Sequence, residues 1–217
     1  MHPDISAFAM DRTYKSEMPN HPDCKNHKLD ARFEKVLRQF LKADAKKKIN
    51  VVCVDVKGSE STVDDKTASR ENEAHRKSGT ELFYRLIKAD RAHTLHAIMV
   101  ITPYKKNEYL WKKDLIELAT LTGEKLSAMP TVVVGDSCQG DEADFVVWDP
   151  NIHAANSTGE LGILQREELN NVVETRARRC MITFYNADIL KGTLCADWDK
   201  THSKNRKILD EPKPYLF

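Results

Sequence analysis

The stretch from Val132 to Val147 constrains the fold of this chain more than any other. Val132-Val133-Val134 and Phe145-Val146-Val147 are short apolar runs of β-branched and aromatic residues, the composition of buried strands. Between them lies Gly135-Asp136-Ser137-Cys138-Gln139-Gly140-Asp141-Glu142-Ala143-Asp144, a polar loop with two glycines and several carboxylates. An α/β protein places a ligand in such a loop at the end of a buried strand.

The flanking sequence supports that class. Ile49–Val56 and Ala97–Ile101 read as further buried strands, and Cys180–Tyr185 as a last one. Helical spacing separates them. Phe33, Val36, Leu37, Phe40 and Leu41 form one apolar stripe after Asp30, a suitable cap. Ser69 or Asn72 opens a helix running to about Lys88. Residues 105–121 form another helix, ended by Gly123, and residues 166–177 a third. Pro3 suits the first turn of a short helix at the start of the chain, and residues 186–217 read as one or two short helices with a proline-bearing tail. Strands alternating with helices imply a mainly parallel sheet covered on both faces. The expected division is a leading segment with a helix over 1–48, an α/β domain over 49–193 and a tail over 194–217.

Composition narrows the function. With 34 basic and 33 acidic residues the formal net charge is +1, so no overall basic field announces nucleic acid, and any such contact must come from local clusters. No run approaches the ~18 apolar residues of a membrane span, and the first residues do not read as a signal peptide. Five cysteines, odd in number and without a C-x-x-C pair, fit a reducing compartment, cytoplasmic or nuclear. Cys53 and Cys180 sit in apolar runs and read as small core residues. His21, Cys24 and His27 are spaced for metal, but a tetrahedral zinc site needs a fourth ligand and none is near, so the segment reads as a solvated loop. No metal site is expected within the chain.

Two segments carry candidate chemistry besides the opening loop. Thr102-Pro103-Tyr104 stops one strand, since proline donates nothing to a central ladder. Arg176, Arg178 and Arg179 follow Asn171-Val172-Val173-Glu174-Thr175 at a helix end. Arginines there suit bidentate contact with phosphate or carboxylate; equally, they suit surface pairs with Glu167, Glu168 or Glu174. The letters Asp141-Glu142-Ala143-Asp144 spell a helicase signature box, but they precede a strand instead of following one. The chain contains no G-x-x-x-x-G-K-[ST], so the match is one of letters.

Taken in order, these segments resemble the second RecA-like domain of superfamily 1 helicases of the nonsense-mediated-decay and Okazaki-fragment type. Met1-His2-Pro3, with Ile5 and Phe8, resembles the segment that opens that domain, and Tyr14 its F-Y. Gly58, Glu60, Ser69 and Asn72 resemble its G-x-E and S-x-x-N stretch. Val100-Ile101-Thr102-Pro103-Tyr104 is similar to motif IV, Asp136-Ser137-Cys138-Gln139-Gly140-Asp141-Glu142-Ala143-Asp144 to motif V, Gly162-Ile163-Leu164 to G-F-L, and Asn171–Arg178 to motif VI, with Trp198 in the closing segment. The resemblance implies a RecA-like fold without the phosphate loop itself. It implies an arginine finger at Arg176, ATP contacts at Gly140, Glu142 and Arg178, and single-stranded RNA or DNA at Thr102, Pro103, Tyr104, Ser137 and Gln139. ATP and its Mg²⁺ would be held mainly by a first RecA-like domain, in cis or in trans, so the isolated chain is expected to be inactive as an ATPase. The departures are Cys138 for the family's Phe, Asp141 for a basic residue, Val134 and Gly135 for a hydroxyl and an apolar residue, Asn107 for Gln, and Glu174 for Leu. They, and a start at the methionine after the family's Gln-Tyr-Arg, support the alternative of a degenerate or truncated, non-catalytic binding remnant.

Overall fold

Alternate residues of each central strand face opposite ways, and this divides the core in two. The computed structural model describes residues 1–14, 20–43, 45, 48–89, 92–155, 158–160, 162–189 and 206–209. In chain order the elements are α1 (Pro3–Arg12), α2 (Ala31–Phe40), β1 (Val51–Val56), β2 (Thr62–Val63), β3 (Arg70–Glu71), α3 (Glu73–Lys88), β4 (Ile98–Thr102), α4 (Lys105–Thr122), β5 (Thr131–Val134), β6 (Ala143–Trp148), β7 (His153–Ala155), β8 (Thr158–Glu160), α5 (Glu167–Glu174), β9 (Ala177–Tyr185) and β10 (Arg206–Leu209), with short 3-10 turns between them. The main sheet has the order β10-β1-β9-β6-β4-β5, and every neighbouring pair in it is parallel. This is the α/β architecture expected, a parallel sheet flanked by helices.

Val52, Val54, Val100, Val132, Phe145, Val147, Ile182 and Phe184 face one side, where α2, α3 and α4 cover them. Val51, Cys53, Met99, Ile101, Val146, Trp148, Met181 and Tyr185 face the other, under α1, α5 and the 135–142 loop. Strands buried on both faces explain their continuous apolar sequence. Cys53 and Cys180 are fully buried core residues, and burial pushes the Cys180 thiol well above its ordinary range.

The first 48 residues pack into this same body. The Phe33 ring of α2 stacks on Phe145 of β6 at a centroid distance of 3.9 Å. At α1, the His2 backbone N–H donates to the Arg178 carbonyl at 2.7 Å. Asp30 caps α2 through the N–H groups of Arg32 and Phe33, and Asn72 caps α3 through that of His75. Gly123 ends α4 at φ 74°, in the left-handed region.

Two expectations are corrected. Within 186–217, where short helices were expected, residues 206–209 form a strand parallel to β1, in register Cys53 to Arg206; Cys195 and Trp198 lie outside the described residues. The helix expected over 166–177 ends at Glu174, and Ala177 already pairs with Ala143. The Thr175 hydroxyl donates to the carbonyls of Asn171 and Val172, satisfying two helix-end acceptors and letting the chain leave as a strand.

Gly79 marks a close approach between α3 and α4. A Cβ there would lie 2.3 Å from Cη2 of Trp111 on α4. Alanine is favoured over glycine in a helix by about 1 kcal/mol. Trp111 cannot yield easily, because it is fully buried and its Nε1 donates to Asp149 at 2.9 Å. Overpacking of this kind costs about 1–3 kcal/mol. Gly79→Ala is therefore expected to be net destabilising in urea titration, by up to roughly 2 kcal/mol; raised stability would show that the α3–α4 contact relaxes freely.

Candidate functional site

The carboxyl edge of the sheet gathers the ends of β1, β9, β6, β4 and β5. Tyr104, just past β4, is the N-cap of α4 and makes no side-chain capping bond. The Arg70 guanidinium lies over its ring at 5.6 Å from the centroid. Gly162, at φ 56°, closes on both: a Cβ there would sit 2.8 Å from Tyr104 Oη and 3.0 Å from Arg70 Cζ. The cation thus lies over the ring, the turn at Gly162 closes on the hydroxyl and the guanidinium, and Tyr104 remains partly exposed. Ser137 and Gln139 are exposed on the loop after β5, and Asp136 beside them pairs with Arg166 at 3.4 Å.

Beneath this edge lies a buried polar network. Asp149, at the end of β6, accepts from His75 Nδ1 at 2.7 Å, Asn107 Nδ2 at 2.8 Å and Trp111 Nε1 at 2.9 Å. With its proton on Nδ1, His75 accepts from Ser59 Oγ at Nε2, 3.1 Å away. Serine, histidine and aspartate in this series have the order of a nucleophilic triad, but Ser59 is 2% exposed, so the series serves as a tie between β1, α3 and β6. Thr102 is fully buried, and its hydroxyl accepts from Asn107 at 3.0 Å and Asn151 at 3.2 Å. Pro103 is buried as well. Neither Thr102 nor Pro103 faces solvent; they fix the backbone that presents Tyr104. Asn107, which stands where the family has Gln, also accepts from Arg76, itself paired with Glu71 and Asp114. Burial raises the Asp114 carboxyl above its ordinary range against the pull of Arg76.

The 135–142 loop leaves the carboxyl edge after Val134 and reaches the amino edge at Ala143. On the way it lies against α5. A Cβ on Gly135 would meet Leu169 Cδ1 at 2.6 Å, which is why glycine stands there. Cys138 is fully buried and its thiol donates to the Gly135 carbonyl at 3.0 Å. Gly140, at φ 92°, turns the chain in open space, and Asp141 and Glu142 are exposed.

Arg176 meets the loop at the amino edge. Its Nε donates to the Val172 carbonyl at 2.8 Å, one amino nitrogen to the carbonyls of Asp141 at 3.1 Å and Cys138 at 3.4 Å, and the other to Thr175 Oγ1 at 2.8 Å. Arg178 and Arg179 both pair with Asp144, at 3.0 and 3.2 Å. The carboxylate beside Arg178 and Arg179 is thus the last letter of the helicase-like box. Of the side chains expected to serve ATP, Arg176 and Arg178 lie at the amino edge, where the loop carrying Gly140 and Glu142 arrives; of those expected to serve a nucleic-acid strand, Tyr104, Thr102 and Pro103 lie at or beneath the carboxyl edge, while Ser137 and Gln139 ride on the crossing loop, Gln139 between the two residues bonded to Arg176. The Asp149 network was invisible in the sequence, because its members are far apart in the chain; the only trace was a carboxylate directly after the apolar run ending in Trp148. At His21, Nδ1 accepts from the Asp23 N–H and caps a 3-10 turn; among the described residues no three His, Cys, Asp or Glu side chains gather to hold a metal ion. No helix of the described residues is long and apolar enough to cross a membrane.

No curated protein matches the chain. Among solved structures it is similar to the C-terminal domain of a possible DNA helicase from Lactobacillus plantarum WCFS1, at 11% identity and a TM-score of 0.45, with 84% of this chain and 98% of that one covered. The AAA domain family matches residues 1–188. The chain belongs to that family, as a second RecA-like, C-terminal domain of the superfamily 1 helicase type.

Proposed function

We propose that this domain is the C-terminal motor half of an ATP-dependent helicase acting on single-stranded RNA or DNA. Its amino edge offers Arg176 to the γ-phosphate, with Gly140, Glu142 and Arg178 around the nucleotide. Its carboxyl edge offers Tyr104 for base stacking, with Thr102 and Pro103 as the support below, and the crossing loop offers Ser137 and Gln139 to the strand. A first RecA-like domain, in cis or in trans, supplies the phosphate cradle and holds Mg²⁺. One observation carries the reading: a single loop, 135–142, runs from the strand edge to the nucleotide edge and is bonded there to Arg176. Closure of the cleft around ATP would thus act directly on the surface that grips the strand.

Binding of a labelled single-stranded oligonucleotide, followed by fluorescence anisotropy at low and rising salt, tests the strand edge. The chain is expected to bind and to weaken steadily with salt. Tyr104→Ala is expected to weaken it by roughly 5- to 150-fold, the equivalent of ~1–3 kcal/mol for one stacked base. No binding at low salt would overturn the strand assignment. The chain by itself is expected to show no ATP turnover; turnover that disappears in Arg176→Ala would overturn the need for a first domain. A second reading, a non-catalytic binding module, is favoured by Arg176 being committed to the chain's own carbonyls. It requires that turnover stay absent when a first RecA-like domain is supplied.

A further inference from the structure

The hydrogen bonds of Arg176 and its proposed task compete for the same donors. Nε serves Val172, one amino nitrogen serves both loop carbonyls, and the other serves Thr175. A guanidinium offers five N–H donors in a fixed planar fork. Four are engaged, so a phosphate gripped in the usual two-pronged way must take at least one from the protein. The two longest bonds are those to Cys138 and Asp141, and these two alone tie the guanidinium to the 135–142 loop. The loop is also held by burial of the Cys138 thiol in the core on this face of the sheet and by its bond to the Gly135 carbonyl.

We propose that Arg176 is a latch as well as a finger: in the absence of phosphate its guanidinium holds the 135–142 loop shut over the sheet, and engagement of a phosphate by Arg176 releases the loop at Cys138 and Asp141. This rests on the placement of the γ-phosphate at Arg176 made above. It adds a direction of coupling, since a nucleotide at the amino edge loosens the segment that carries Ser137 and Gln139 and that begins at the carboxyl edge. Reciprocally, a strand that holds the loop open frees Arg176 for phosphate.

Cys138 is the built-in reporter. Burial raises its thiol above the ordinary range, with Arg176 pulling the other way, so the closed loop keeps it unreactive. Peptide-resolved labelling of the full chain with a thiol reagent reads opening of the loop, with Cys53 and Cys180 in the sheet as internal controls. Arg176→Ala is expected to raise labelling of Cys138 by about tenfold, the order expected for losing charge-assisted hydrogen bonds to a loop that opens locally, while Cys53 and Cys180 stay protected. Inorganic tripolyphosphate at millimolar concentration is expected to raise Cys138 labelling in the unmodified chain and to add nothing in Arg176→Ala. If the variant labels all three thiols together it has unfolded, and the tripolyphosphate arm on the unmodified chain decides. Cys138 labelling that does not respond to tripolyphosphate, or that still responds in a folded Arg176→Ala, overturns the latch. Failure of strand binding would leave these readouts untouched, so the latch and the helicase reading fail separately.

Discussion

Asp149→Ala is expected to lower the free energy of unfolding by about 3–5 kcal/mol, the range for removing one partner from a buried, charge-bearing network. The carboxylate is fully buried and accepts from His75, Asn107 and Trp111. Alanine leaves all three donors facing a cavity without an acceptor, and each unsatisfied group costs about 1–3 kcal/mol. Asp149→Asn keeps the shape and one acceptor but turns an amide N–H₂ toward donors, so an intermediate loss of roughly 1–3 kcal/mol is expected. Urea titration measures both as shifts in midpoint at constant slope. A loss below about 1 kcal/mol for Asp149→Ala would show that the network does not hold the carboxyl edge. Its functional counterpart is the strand surface: Asn107 joins Asp149 to Thr102, so Asp149→Ala is expected to weaken single-strand binding through Tyr104 even where the domain remains folded.

Phe33→Ala is the second large effect, again about 3–5 kcal/mol. Phe33 is 1% exposed and stacked on Phe145, in the middle of the sheet face covered by α2, α3 and α4. Such stacking adds about 0.5–1.5 kcal/mol beyond area burial. The variant also decides how the first 48 residues relate to the rest. If they formed a separate unit, only a small fraction of the helical signal would melt early. Since α2 supplies one wall of the shared core, backbone and aromatic circular dichroism are expected to move together to a lower midpoint, as in a single cooperative transition.

Much of this domain was legible because its signals are local. Val132–Val134 and the Ile49–Val56 run declare buried strands through β-branched residues, and the caps Asp30, Asn72 and Gly123 sit where a helix begins or ends for reasons of backbone chemistry. The strand at 206–209 was not legible, since Arg206-Lys207-Ile208-Leu209 offers two apolar residues and its reason to extend is pairing with β1. The end of α5 was misplaced for the opposite reason: Ala177, Arg178 and Arg179 are good helix formers, and pairing with β6 overrides them.

The site divides along the same line. That Thr102 ends a strand and that Asp136 to Glu142 form a polar loop with turn glycines follows from the order of residue types. Which way Thr102 faces does not; the structure turns its hydroxyl inward to Asn107 and Asn151. By itself the sequence determined the strands, the helices and the order of the motifs along them. Only the tertiary structure decided that the loop beginning at Val134 crosses from one edge of the sheet to the other, and that Arg176 waits there bonded to its backbone. Strand propensity acts between neighbours in the chain, whereas a guanidinium finds its acceptors among carbonyls that only the folded sheet brings within reach.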